Sequence, residues 1–235
     1  MTDPSSTPTM PGAAPATGGP DPTRSDPEHP VAFFDLDGTL PTHDTFVPFL
    51  IRLAGTGAVV RALAAAARTG QRHGRDAAKA VAVAALFAGR TRAEVDEAAE
   101  AHAAMVLSGG RGRPWSPRLR PNVVARLDRH RALGHGVAVV SASLAPYVSR
   151  IAAGLGVTDT SATEIEIVDG VATGRMVGAN CRGPEKVVRA EALVTDLDWS
   201  RAWAYGDSSG DVDLLAAAGN PVWVRCGALR GSVPG

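Results

Sequence analysis

A chain of 235 residues has room for one sizeable α/β domain with a smaller insertion. Basic and acidic residues number 24 each, so the formal net charge is zero and nothing in the balance suits a polyanion such as nucleic acid. An apolar share of 45% is that of an ordinary soluble globular protein.

Residues 1–30 are rich in Pro, Ser, Thr, Gly and Asp and almost free of large apolar side chains. Such a segment buries too little surface to offset its chain entropy, which predicts a disordered tail, and it lacks the basic start and apolar core of a secretory signal. At Val31 a short apolar run, Val31-Ala32-Phe33-Phe34, reads as a strand buried on both faces of a parallel sheet. It ends in Asp35-Leu36-Asp37-Gly38-Thr39, where charge and glycine mark the strand end and a loop. From 46 to 107 the apolar spacing is helical, with Thr91 and Glu94 forming a capping box for the third helix. The most apolar stretch, 77–88, is too short to span a bilayer and is interrupted by Lys79, so a cytoplasmic protein without membrane contact is expected.

Residues 108–121 form a Gly/Pro/Arg-rich connection. Beyond it, 123–133 reads as a helix closed by Gly134, and 137–140 as a second buried strand running into Ser141-Ala142-Ser143. Pro146 opens a further helix. Residues 163–176 read as a hairpin turning at Asp169-Gly170. Pro184 opens the next helix, 202–205 is a third strand ending in Gly206-Asp207, 214–218 a short helix, and 221–225 the last short strand. Strands alternating with helices imply a doubly wound, Rossmann-like α/β fold with a parallel sheet. Cys181 and Cys226 have no partners at metal-ligand spacing, and two buried or half-buried thiols are expected. Lys79 and Lys186 are the chain's two lysines, the other basic residues being Arg.

In open α/β sheets ligands bind outside the carboxyl ends of the strands. Asp35 and Asp37, Ser141, and Asp207 and Asp211 all follow such ends, so strand ends far apart in sequence supply one pocket. Acids gathered there repel unless a cation neutralises them, and an oxygen-only set suits Mg²⁺. Taken singly, each residue has a plainer reading. Asp-Leu-Asp-Gly-Thr makes a turn, Ser141 a helix N-cap, Lys186 a solvated helix residue, and Asp207 and Asp211 loop or capping acids.

Taken in order, Asp35-Leu36-Asp37-Gly38-Thr39, Val139-Val140-Ser141, Lys186 and Gly206-Asp207-Ser208-Ser209-Gly210-Asp211 resemble the four motifs of the haloacid dehalogenase (HAD) superfamily. The segment 180–187 and the hairpin before it resemble its phosphoserine-phosphatase-like branch, subfamily IB. The resemblance implies a phosphomonoesterase that uses Mg²⁺ and an aspartyl-phosphate on Asp35. Asp37 is then the acid/base residue, with its backbone oxygen a metal ligand beside Asp35, Asp207 and Asp211. Gly38, Ser141, the amide of Ala142, and Lys186 hold the phosphoryl group. The helical stretch resembles a cap of the first structural class (C1). This gives a tail over 1–30, a core over 31–45 and 112–235, and a cap over 46–111. Asp44 stands where phosphoserine phosphatases carry a substrate-facing carboxylate, or it caps the helix that follows. The Met/Phe/Arg pattern associated with serine recognition is missing, so phosphoserine is not the favoured substrate. A small phosphorylated metabolite is expected, and Arg52, Arg118 and Arg182 are candidates for an anionic substrate group or plain surface residues. The alternatives are phosphotransfer, as in phosphomutases of the superfamily, and a non-catalytic phosphometabolite-binding protein. Haloalkanoate dehalogenation is a minor alternative, weakened by Asp37. Oligomeric state is not legible.

Overall fold

The computed structural model describes residues 30–109 and 117–234, so the expected tail, apart from Pro30, and the 110–116 part of the 108–121 connection lie outside the described residues. In chain order the elements are β1 (Val31–Phe34), α1 (Phe46–Ala54), α2 (Thr56–Phe87), α3 (Arg92–Leu107), α4 (Pro121–Ala132), β2 (Gly136–Leu144) and α5 (Ala145–Gly154). There follow β3 (Asp159–Val168), β4 (Val171–Val177), α6 (Pro184–Leu193), β5 (Trp203–Gly206), α7 (Val212–Ala217), β6 (Asn220–Arg225) and β7 (Ala228–Gly231).

The strands form one sheet in the order β4-β3-β2-β1-β5-β6-β7. β1 is parallel to β2 on one side and to β5 on the other, and β4 and β7 close the edges antiparallel. Successive side chains of a strand point to opposite faces. Ala32 and Phe34 therefore enter one apolar cluster, with residues of α4, α5 and the helical insert, while Val31 and Phe33 enter another, with α6 and α7. All four are buried, which is why β1 reads as a continuous apolar run rather than an alternating one. Full burial of a side chain such as Phe33 or Phe34 contributes roughly 1.5–3 kcal/mol, enough to fix the strand centrally.

Helices α1 to α3 form an insert between β1 and α4. The capping box that starts α3 is present: the Glu94 amide donates to Thr91 Oγ1 (3.2 Å) and the Thr91 amide to Glu94 Oε2 (2.8 Å). Helix α2 bends at Gly74, whose φ of 87° and ψ of 178° lie outside the helical region, and Gly70 before the bend comes close to Ala78 after it. The β3–β4 hairpin holds the insert by main-chain bonds, the Gly89 amide donating to Ala172 O (2.9 Å) and the Ala172 amide to Arg90 O (2.7 Å). Phe49, Val83, Phe87, Val95 and Val106 of the insert share one apolar cluster with Phe34, Val139, Tyr147 and Ile151. Among the described residues no helix is long and apolar enough to cross a membrane.

Four local expectations need correction. The strand expected to end near Val140 continues through Ser141 to Leu144, with a register shift between those two residues. The expected hairpin strand begins at Asp159, not Thr163, because Asp159, Thr160 and Ser161 pair with β2. Their polarity hides a strand whose partner supplies the apolar contacts. β6 is not the last strand: Cys226 and Gly227, with φ of 48° and 80°, make a two-residue hairpin turn into β7. That turn leaves Cys226 exposed, against the expectation of two buried or half-buried thiols, while Cys181 is buried.

Candidate active site

Because β1, β2 and β5 lie side by side and parallel, their carboxyl ends deliver Asp35, the 141–143 segment and Asp207 to one edge of the sheet. Lys186 reaches the same place from the first turn of α6. It is 1% exposed, which rules out a solvated helix lysine. Its Nζ donates to Asp35 Oδ1 and to Asp211 Oδ1, both at 2.5 Å. Burial works against the lysine's charge, but Asp35 and Asp211 together overcome this and raise its pKa. Asp35 is pushed well up by burial, with Lys186 opposing and Asp211 and Asp37 adding to the rise.

Asp211 Oδ2 accepts from the amides of Asp207 (3.2 Å) and Ser208 (3.0 Å) and from Ser208 Oγ (2.9 Å), bracing the loop after β5. It is not a capping acid for α7, to which its side chain makes no cap bond. Carboxylate oxygens of Asp35, Asp207 and Asp211 lie within 4.8 Å of one another. Asp207 Oδ1 is buried and has no hydrogen-bond partner, and burial, reinforced by Asp211, lifts the Asp207 pKa to about 6. Three carboxylates thus face one ammonium, and one buried acceptor has no donor. A small oxygen-loving divalent cation fits that deficit.

Asp37 is held from two directions. Oδ1 accepts from the Thr45 amide (2.7 Å) and from Thr45 Oγ1, and Oδ2 accepts from Ser143 Oγ. Thr45 precedes α1 and Ser143 lies near the end of β2, so the carboxyl is clamped between the insert and the sheet. Burial, helped by Asp44, raises its pKa to about 6 against the lowering effect of these hydrogen bonds. A carboxyl near that value can both donate and accept a proton close to neutrality.

A cavity of about 260 Å³ opens above these groups. Asp35, Asp37, Ser141, Ala142, Lys186 and Asp211 line its sheet side, and Phe46, Arg75, Asp76 and Lys79 its insert side. Ser141 Oγ accepts from the Ser143 amide at 3.1 Å. It is no N-cap, since β2 runs on to Leu144 and α5 starts only after that residue. Asp44 satisfies both of its readings: its Oδ1 accepts from the amides of Phe46 (2.9 Å) and Val47 (3.2 Å), capping α1, and it also lines the cavity. Of the three candidate arginines, Arg182 lines the cavity and donates to Ser209 Oγ (2.9 Å). Arg52 and Arg118 are not among the lining residues; Arg52 Nη2 contacts Met105 Sδ at 3.7 Å, and Arg118 pairs through its backbone with Thr42.

Sequence reasoning missed Thr45, Ser143, Arg75 and above all Lys79, which it treated only as a break in an apolar stretch. One signal was available, because Lys79 is one of two lysines in a chain that otherwise uses Arg.

Gly38 is fixed by space as well as by backbone. Its φ is +78°, and a Cβ there would stand 2.2 Å from Asp207 Oδ2. Gly38→Ala is therefore expected to lose about 1–2 kcal/mol from the left-handed backbone alone. It should lose activity as well, because Asp207 must move. A thermal midpoint measured beside turnover checks both parts.

The model of the haloacid dehalogenase-like hydrolase family matches residues 32–216. Protein CicA of Caulobacter vibrioides is 35% identical over 190 residues, covering 79% of this chain and 81% of that protein. Phosphoserine phosphatase SerB2 of Mycobacterium tuberculosis is 29% identical over 188 residues, covering 79% of this chain and 42% of that one. The crystal structure of a Bordetella pertussis protein of unknown function superposes with a TM-score of 0.68 at 27% identity, over 82% of this chain and 88% of that one.

Proposed function

The chain belongs to the haloacid dehalogenase-like hydrolase family, and on that premise we propose that it hydrolyses a small phosphomonoester through an aspartyl-phosphate on Asp35. The observation that carries the reading is the pairing of two differently held acids in one cavity: Asp35 on the Lys186 ammonium, Asp37 between Thr45 and Ser143.

Asp35 attacks phosphorus while the bond from phosphorus to the leaving oxygen breaks, and Asp37 gives its proton to the departing alkoxide. Asp37, now ionised, takes a proton from water as that water attacks phosphorus, and the bond to Asp35 breaks to release phosphate. Lys186, Ser141 and the Ala142 amide are assigned to the phosphoryl oxygens, where positioning and charge supply most of the catalysis. Mg²⁺ is the assigned cation, with Asp35, Asp207, Asp211 and the Asp37 carbonyl as its ligands. When bound it supplies positive charge that eases approach of a carboxylate to a phosphate dianion. The helical insert covers the cavity in the manner of a cap and supplies the surface facing the leaving group. Phosphoserine, named for several relatives, belongs among the first compounds to try, with Asp44 and Arg182 the residues to follow.

A panel of phosphomonoesters assayed with Mg²⁺, and again with EDTA, tests the reading. Free phosphate should appear at the rate of substrate loss, fall sharply with EDTA and return when Mg²⁺ is restored. Isomerised phosphate ester in place of free phosphate would make the protein a mutase. Ligand binding without turnover of any compound would leave only a binding role.

A further inference from the structure

Lys79 lies on the second arm of α2, and its head has crossed from the insert to the sheet edge. Its Nζ donates to Ala142 O, to Thr163 Oγ1 (3.0 Å) and to Asn180 Oδ1 (2.6 Å), while Phe46 lies beside it with its ring centroid 5.8 Å away. An ammonium has three hydrogens, and three acceptors use them all. None of the three is a carboxylate. Burial lowers the Lys79 pKa to about 8, and Cys181, Asp76 and Asp37 oppose that only in part, so a buried cation whose direct partners are all neutral oxygens contributes little to stability. A contact to substrate is equally ill served, because no donor is left over.

The peptide unit that Lys79 grips explains the arrangement better. Ala142 O and the Ser143 amide belong to the same planar group. Its oxygen is held by Lys79 and by Thr163 Oγ1 (3.0 Å), and its N–H by Ser141 Oγ (3.1 Å). Ser143 Oγ, carried by that unit, donates to Asp37 Oδ2. We propose that Lys79 is a positioning residue for phosphoryl transfer, fixing the Ala142–Ser143 peptide so that Ser143 keeps the Asp37 carboxyl aimed into the cavity. The inference rests on the phosphatase reading of the cavity. It adds that the insert contributes to the chemistry itself, through a residue that touches neither substrate nor phosphorus.

Lys79→Met, which keeps the length of the stem and removes the charge, is the decisive variant. It is assayed on p-nitrophenyl phosphate, whose leaving group carries no further anionic group for a lysine to bind. kcat should fall about 10- to 100-fold, the scale of a small misplacement of a reacting group, with KM within about twofold of wild type. The thermal midpoint should stay level or rise, and the Ser143 amide should exchange its hydrogen faster. An unchanged kcat overturns the proposal. So does a rise in KM alone, which would make Lys79 a substrate contact, and so does a falling midpoint, which would make it a structural prop. If the wild-type protein releases no phosphate from any ester, the phosphatase reading fails by itself. The exchange of Ser143 then decides for Lys79, and an unchanged rate overturns its positioning role.

Discussion

Asp35→Asn should lower turnover by about ten-thousandfold or more, the scale seen when a covalent nucleophile is removed, and should leave the fold standing. The amide is as large as the carboxyl and still offers Lys186 an acceptor, but it cannot carry the phosphoryl group. Lys186 also keeps Asp211 at 2.5 Å, so no buried charge is stranded. The stability effect has a definite sign. Burial raises the Asp35 pKa above its unfolded value, so in the metal-free protein folding becomes less favourable as pH rises above the ordinary carboxylate range. A neutral side chain removes that cost. Without metal at neutral pH, the variant should therefore melt at the wild-type temperature or above it. Phosphate release and thermal midpoint, measured on the same preparation, check the two halves. Turnover at the wild-type rate would remove Asp35 from the mechanism, and collapse of the midpoint would show that it holds the fold.

The second large effect belongs to Asp37→Asn. Loss of a general acid and base costs about 100- to 10,000-fold, and here the two duties can be told apart. For an alkyl phosphate the leaving oxygen needs a proton, so the first step slows. For p-nitrophenyl phosphate the phenolate departs unaided, so the first step survives and the second, which needs an activated water, becomes limiting. Rapid mixing should then show a burst of nitrophenol, followed by slow turnover while the aspartyl-phosphate persists. Equal slowing of both substrates, with no burst, would overturn the division of labour between the two acids. Thr45 keeps its two bonds to the side chain only if the Asn oxygen faces it, in which case the amide nitrogen meets Ser143 Oγ. That hydroxyl can turn to accept, so the geometry is conserved and the lesion is chemical.

The core of this architecture was legible because its signals are local. Val31 to Phe34 is apolar throughout since both faces of β1 are covered, and the acids that follow fall at the strand end by the same arithmetic. The capping box at Thr91 and the helix-opening prolines at 146 and 184 are likewise properties of a few adjacent residues. What escaped depends on partners distant in sequence. Asp159 to Ser161 look like loop until β2 lies beside them, and β7 requires seeing that Cys226 adopts a positive φ usually left to glycine or asparagine. In the site, Asp35, Ser141, Lys186, Asp207 and Asp211 stand out through their motifs. The grip on Asp37 does not: Thr45 and Ser143 are unremarkable letters, eight and 106 positions away. Lys79 meets Ala142 across 63 residues, and it lies beyond the break in α2 at Gly74, which no apolar spacing announces.

The apolar cluster that runs without a break from Phe34 through Tyr147 into Phe49, Phe87 and Val95 has an evolutionary consequence. A lid hinged on two linkers can be exchanged between relatives as a module, taking its specificity with it. Here the cover is welded to the catalytic floor, so a transplanted insert would arrive with half a core and nothing to pack against. New substrates must be reached by point changes on the cavity side alone, at Arg75 and Asp76, while the residues behind them stay committed to folding.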